Sequence, residues 1–354
     1  MRVQLLEIDK AYGPVQANQG VSLTVESGRI HGLLGENGAG KTTLMKVLSG
    51  YTQPDAGRIL LDGREVRLAS PADAIAQGIG MLHQDPLDVP ALSVLDNFCL
   101  GRRARLFQRR RQARSDLETL SARFGFALDP DETVGTLTVG ERQQLELVRL
   151  LSLGARTIIL DEPTTGISAP QKALMFETLR RLADEGMSVV FVSHKLDEVQ
   201  DLCAEATVLR GGQVAGHAEA PFSSMGLVRL MFGRELAAPT RSACALGEVR
   251  LALDDVAVHT DRLRIDHLSL SVRCGEVIGL AGLEGSGQRL FMQACAGILP
   301  VRSGSLRLDG AEMAGQPYRR FQGRGVALVP AARLEEGLIA GMSLREHFAL
   351  ASGG

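Results

Sequence analysis

Gly35-Glu36-Asn37-Gly38-Ala39-Gly40-Lys41-Thr42, followed by Thr43, decides how this chain is read. Its glycines let the backbone turn so that successive N–H groups face one point, and the helix that should come next adds the positive end of its dipole. Lys41 stands where an ammonium reaches the outer phosphates of a nucleotide, and Thr42 where a hydroxyl meets Mg²⁺. A glycine-rich turn of no chemical consequence does not need Lys and Thr at its end.

The loop recurs. Gly282-Leu283-Glu284-Gly285-Ser286-Gly287-Gln288-Arg289 repeats its spacing at an offset of 247 residues (282 less 35), with Gln288 and Arg289 in place of Lys41 and Thr42. The same offset pairs Gly28 with Gly275, Gly50 with Gly297, Gly57 with Gly304 and Asp62-Gly63 with Asp309-Gly310, which makes the chain a duplicated domain. Each copy opens with alternating apolar residues (Val21, Leu23, Val25; Leu268, Leu270, Val272), and the spacing predicts an apolar strand, the loop and a helix in both. The losses at Gln288 and Arg289 remove the point charge and the metal ligand together, so hydrolysis is expected at the first loop alone.

Four further pieces lie beyond the first loop. Leu137-Thr138-Val139-Gly140-Glu141 leads into an amphipathic helix whose N-terminus is suited to a second phosphate. Ile158-Ile159-Leu160 reads as a buried strand ending in Asp161 and Glu162; the first is placed to hold Mg²⁺ and the second to polarise an attacking water. The run 188–192 is another such strand, and Ser193-His194 closes it with an imidazole near the γ-phosphate. Gln84 comes after the strand Ile79–Leu82, where it would sense metal and water. Between the two strands 157–160 and 188–192, a helix from about Pro170 to Asp184 completes a βαβ unit. A helical segment occupies about 93–152.

Bulk properties narrow the class. With 354 residues, 45% hydrophobic and 23% charged, the chain is expected to be globular with more than one domain. A net charge of −2, no Trp and 3 Tyr disfavour a dedicated nucleic-acid binder. The first ten residues hold acidic side chains where a signal peptide needs an apolar run, and no stretch approaches about 18 apolar residues, which predicts a cytoplasmic protein. The 5 cysteines are far apart and are expected to be reduced and mostly buried. Seven arginines from Arg102 to Arg114 read as a solvated helical face, the alternative being contact with lipid headgroups or a membrane subunit.

Through residues 35–42, 137–144, 158–163 and 194 the chain resembles the ATP-binding cassette (ABC) family over essentially its whole length. The resemblance implies an α/β P-loop NTPase with an antiparallel β subdomain and an α-helical subdomain. It also implies an ATPase using ATP and Mg²⁺, in which each nucleotide lies between the P-loop of one cassette and the signature of a second, in cis or in trans. Carried over by position, Tyr12 matches the aromatic that stacks on adenine, Gln84 the glutamine that touches the membrane partner, and Thr138, Gly140 and Glu141 the signature. Glu162 matches the catalytic carboxylate and His194 the switch histidine. Departures are informative: Val139 fills a glycine position of the common Leu-Ser-Gly-Gly-Gln, Glu141 replaces its glutamine, and Thr165-Gly166-Ile167-Ser168 lacks the aspartate of the usual Ser-Ala-Leu-Asp.

This variant is similar to the tandem-cassette ATPases of bacterial simple-sugar and nucleoside importers, where the second P-loop is often degenerate. That implies permease subunits and an extracytoplasmic substrate-binding protein as partners, no nucleic acid, and a peripheral position on the inner face of the membrane. The alternative is a soluble tandem cassette acting on ribosomes or nucleic acid. Such proteins usually carry a long charged linker and two intact loops, whereas the linker expected here, 237–248, is short. The expected domains are 1–236 and 249–354. Position 354 maps to position 107 of the first copy (354 less 247), so by the repeat a full second copy would run to about residue 483. The expectation is therefore an incomplete second domain.

Overall fold

A computed structural model describes residues 1–83, 87–101, 108–234, 245–260, 263–282, 286–330 and 337–352. The chain divides into two compact units, Met1–Ala238 and Pro239–Gly354. In chain order the first unit contains β1 (Val3–Tyr12), β2 (Val15–Val25), β3 (Ile30–Gly35), α1 (Lys41–Leu48), β4 (Ala56–Leu61), β5 (Arg64–Val66), α2 (Pro71–Ala76) and β6 (Ile79–Leu82). Next come α3 (Val94–Cys99), α4 (Gln108–Phe124), α5 (Val139–Ser152), β7 (Thr157–Asp161), α6 (Ala169–Asp184), β8 (Ser188–Val192), α7 (Leu196–Leu202), β9 (Glu205–Arg210), β10 (Gln213–Glu219) and α8 (Ser224–Phe232).

Two sheets result. An antiparallel sheet runs β2-β1-β4-β5, and a six-stranded sheet runs β10-β9-β3-β8-β7-β6. In the second, β3, β6, β7, β8 and β9 are parallel, with β10 returning antiparallel along the edge. Every residue of β3, β6, β7 and β8 is buried, as expected of strands covered on both faces and written as unbroken apolar runs. One apolar core gathers α3, α4, α5 and α6 against one face, including Phe98, Leu117, Val148 and Phe176. The other packs α1 and the antiparallel sheet around Leu5, Val21, Leu44 and Ile159.

This order positions the site. β3, β8 and β7 are neighbours with matched registers, Leu33 opposite Val192 and Val192 opposite Asp161, so the three strands end together at one edge. The loop 35–40, Glu162 and Ser193-His194 leave the sheet from those three ends. Ligands of open parallel sheets gather at the carboxyl ends of the strands for this reason.

The second unit holds β11 (Val249–His259), β12 (Arg264–Arg273), α9 (Gln288–Cys295), β13 (Ser303–Leu308), β14 (Ala311–Glu312), α10 (Tyr318–Gln322) and α11 (Leu344–Ser352). Its sheet, β12-β11-β13-β14, repeats the antiparallel sheet of the first unit. The likeness reaches single bonds: Glu7 N donates to Ser22 Oγ at 2.9 Å, and Asp255 N to Ser269 Oγ at 3.0 Å. The apolar strand expected before the second loop does not form. Residues 276–282 carry no ladder, and the sheet of the second unit among the described residues is β12-β11-β13-β14 alone.

Other expectations need adjustment. Of the four described cysteines only Cys203 is buried; Cys99 and Cys295 are half-buried and Cys274 is exposed. In the arginine stretch, Arg110 pairs with Asp96 at 2.6 Å and Arg114 with Asp131, while residues 102–107 lie outside the described residues. Most of the expected linker (235–244 is undescribed) and Gln84 lie outside them as well. No helix among the described residues is long and apolar enough to cross a membrane.

Candidate nucleotide site

The loop 35–40 turns on three glycines at positive φ, two of them packed too closely for a Cβ. Gly40 caps α1 at φ 99°, and a Cβ there would sit 2.3 Å from the Ala17 carbonyl oxygen. Gly35 has φ 152°, and its Cβ would sit 2.4 Å from the Leu209 carbonyl oxygen. Gly38, at φ 81°, faces open space. With its backbone so constrained, the loop presents the start of α1 to a cleft of about 570 Å³.

The cleft is lined on one side by Tyr12, Val15, Gln16 and Ala17, and on the other by Asn37, Gly38, Gly40, Lys41, Thr42 and Thr43; Asp161 and Glu162 complete it. Tyr12 ends β1 with its ring half exposed, and Lys10 Nζ lies 5.5 Å from the ring centre. Lys41 is buried and donates to the carbonyl oxygens of Gly35 at 2.8 Å and Glu36 at 3.0 Å. Burial pushes its ammonium pKa down, opposed by the charges of Glu162 and Asp161. Ala39 is buried in the core beneath the loop.

Asp161 is buried at the end of β7, and burial pushes its carboxyl pKa up. A hydrogen bond from Thr42 and the charges of Lys41 and Lys46 oppose that shift. Glu162 comes next at φ 50°, a left-handed conformation that costs a glutamate on the order of 1 kcal/mol and is held here by its N–H on the Val192 carbonyl at 3.0 Å. The strained turn brings Glu162 Oε1 to 2.8 Å from His194 Nδ1.

Residues that sequence reasoning passes over hold this pair. Glu198, 2% exposed, accepts from Thr164 Oγ1 at 2.8 Å and Ser193 Oγ at 3.2 Å, and meets Lys195 Nζ at 3.3 Å. It thereby ties the segment after Glu162 to the segment around His194. A glutamate four residues beyond a histidine, with a lysine between, was the available signal, and it is a weak one.

Thr138, Val139, Gly140 and Glu141 start α5 and do not line the cleft. Thr138 caps the helix and forms a reciprocal box with Glu141: Thr138 N donates to Glu141 Oε2 at 2.7 Å and Glu141 N to Thr138 Oγ1 at 3.3 Å. Of the predicted residues, Tyr12, Asn37, Gly38, Gly40, Lys41, Thr42, Thr43, Asp161 and Glu162 line one cleft, His194 joins it through its bond to Glu162, and those of 138–141 lie apart.

Comparison with known proteins decides the family. The family model described as ABC transporter matches residues 18–165. The ribose import ATP-binding protein RbsA of Chromobacterium violaceum is 40% identical over 99% of this chain and 70% of its own length. The chain belongs to the ABC transporter family. The arabinose import ATP-binding protein AraG 1 of Burkholderia lata is 39% identical, with 96% of this chain and 68% of the relative covered. The nucleoside import ATP-binding protein NupA of Lactococcus lactis is 34% identical over 98% and 70%. A solved nucleotide-free ATP-binding cassette from an ABC transporter superposes with a TM-score of 0.59 at 22% identity, covering 66% of this chain and 96% of that one. The fold of this ABC protein is therefore the P-loop cassette fold with its antiparallel β subdomain, and as a member of the family it is an ATPase that binds ATP.

Proposed function

We propose that this chain is the ATP-hydrolysing, energy-coupling subunit of an importer for simple sugars or nucleosides. Supporting the import half of the reading are relatives named for ribose, arabinose and nucleoside import, similar over nearly the whole chain. Supporting the hydrolysis half is one observation above all: the Glu162–His194 pair stands at the rim of a cleft that also holds Lys41, Thr42 and Asp161.

The residues fit ATP with Mg²⁺. A glycine cradle with no room for a Cβ at Gly40, a buried lysine bonded to its own loop carbonyls, and a buried carboxylate bonded to a threonine hydroxyl form a site built for anionic and metal charge. Tyr12 offers a half-exposed ring to the base. The loop N–H groups and Lys41 take the phosphates, Lys41 exchanging its carbonyl partners for phosphate oxygens. Thr42 and Asp161 are the ligands for Mg²⁺, which when bound neutralises phosphate charge; Gln84, outside the described residues, is a third candidate for metal and water. Glu162 orients and polarises the attacking water, and His194, bonded to it, faces the outer phosphate.

Thr138 to Glu141 then act on a nucleotide held by a second cassette. The partners in this reading are membrane permease subunits and, through them, an extracytoplasmic binding protein, with the chain peripheral on the cytoplasmic face. The domain limits 1–236 and 249–354 and the joining segment belong to the same proposal.

Hydrolysis is tested by Glu162→Gln with Mg·ATP, monitoring phosphate release and molar mass in solution. Turnover is expected to fall by about 10²- to 10³-fold with ATP still bound, and closed cassette pairs should accumulate. Undiminished turnover would remove Glu162 from the chemistry. Import is tested by uptake of labelled sugars and nucleosides in a deletion strain; normal uptake of all of them, with ribosome association of the chain, would reverse that half of the reading.

A further inference from the structure

The first turns of α5 and α6 are joined by one side chain. Gln171, third residue of α6, closes that helix's capping box: its Oε1 accepts from the Ser168 N–H and from the Ser168 hydroxyl, both at 3.1 Å. Its Nε2 points the other way and donates to Thr138 Oγ1 at 3.0 Å. Thr138 Oγ1 in turn donates to Glu141 Oε2 at 2.7 Å and accepts from Glu141 N at 3.3 Å. A hydroxyl has one hydrogen and two lone pairs, and here all three are used. The contact is also close, since a Cβ on Gly140 would lie 2.6 Å from Gln171 Cδ.

We propose that Gln171 is a positioning residue for ATP turnover, which fixes Thr138 Oγ1 through one lone pair and links it to the loop Thr165–Ser168 beyond the catalytic strand. The proposal rests on the reading that the start of α5 faces a phosphate held by a second cassette. A phosphate oxygen is an acceptor, and the two donors it would need, Thr138 N–H and Thr138 O–H, are both held by Glu141 Oε2. Docking therefore exchanges one anionic oxygen for another. Through that exchange the Gln171 bond keeps Oγ1 in place, so that only its hydrogen has to be redirected. Because the same amide holds Ser168, movement of the loop 165–168 reaches Thr138 without passing through the cleft.

Gln171→Glu separates the two bonds. The carboxylate still accepts from Ser168 but has no hydrogen for Thr138, and it stands beside Glu141. Expected is a fall of about ten-fold in kcat, with KM for ATP and nucleotide affinity at the first loop unchanged. Gly140→Ala should give the same split, because the atoms it displaces are the movable end of Gln171 and alanine suits a helix. In a Thr138→Ala background, Gln171→Glu should have no further effect; a residue acting only on stability would lower turnover by the same factor there. The link itself is read without turnover, by hydrogen exchange of the nucleotide-free chain. The Glu141 amide should exchange about ten-fold faster in Gln171→Glu, while the Gln171 amide keeps its protection. Unchanged exchange at Glu141, or unchanged kcat, overturns the proposal. Altered exchange in a chain whose wild type binds ATP without hydrolysing it would instead overturn the functional reading on which it rests.

Discussion

The two glycine loops of this chain begin their helices alike and differ in what stands beside them. Gly40 and Gly287 both cap an eight-residue helix in the left-handed region, at φ 99° and 112°. Beside the first, Lys41 is bonded to Gly35 and Glu36 carbonyls. In the second, Gln288 folds over Gly282, whose added Cβ would lie 2.3 Å from Gln288 Nε2, and Ser286 Oγ donates to Gln288 Oε1 at 3.1 Å. A neutral amide occupies the place of a cation. The segments feeding the loops diverge further, as do the repeats of β6: Ile30 is 5% exposed and Leu82 fully buried, whereas their repeats Val277 and Val329 are 96% and 81% exposed. A capped glycine turn is a local property that survives duplication. A buried parallel strand exists only where its neighbours do.

The largest test of this contrast removes each loop's polar residue in turn. Lys41→Ala is expected to lower phosphate release by about 10³-fold or more, since it deletes a fixed charge aimed at transferring phosphate. Gln288→Ala should leave turnover within about two-fold, as it deletes an amide that carries no charge. Equal losses would mean that both loops serve hydrolysis and that the lysine is not what sets them apart.

A second difference is the helical layer, which among the described residues only the first unit has. It buries Glu146, a carboxylate 4% exposed on α5, whose pKa is pushed up to about 7 by burial, against the opposing effects of Arg149 and the Leu87 backbone. A carboxyl raised in the folded state takes up a proton on folding between its ordinary value of 4.5 and about 7. The first unit is therefore relatively more stable below that window and loses stability as pH rises through it, by roughly 3 kcal/mol in all. Glu146→Gln should raise its melting temperature at pH 8 and leave it nearly unchanged at pH 4.5. The ion pairs His267–Asp255 and His259–Asp266 of the second unit lie at its surface, and its melting should depend on pH far less. A wild-type first unit with a flat profile would show that Glu146 is already solvated.

What the sequence made legible was whatever is local or carried by unbroken apolar runs. The loop 35–42, the strand ending at Asp161 and the strand before His194 are each written in fewer than ten residues, and the structure sets them side by side because β3, β8 and β7 share one edge. Gln171 and Glu198 were not legible. Their partners Thr138 and Thr164 lie 33 and 34 residues away, and nothing in a capping pattern says what the far side of the amide will meet. The missing ladder at 276–282 fails for the opposite reason: its apolar pattern matches β3, but pattern alone does not supply a neighbouring strand. Exposed Cys274 is a smaller case, a thiol in a turn where burial was expected from residue type alone.

The smallest effect is the most direct test of whether charge is what separates the loops. If the turn capped by Gly287 keeps the backbone geometry of the one capped by Gly40, restoring the side chains should restore affinity without chemistry. In a Lys41→Ala background, Gln288→Lys with Arg289→Thr is expected to tighten binding of a fluorescent ATP analogue by about ten-fold, the worth of one charge-assisted hydrogen bond. Binding and not turnover is the readout, because Lys41→Ala has already removed the charge that hydrolysis at the first loop needs. No gain in affinity would place the defect in the backbone of the second loop, and the contrast between the loops would then be one of shape as well as charge.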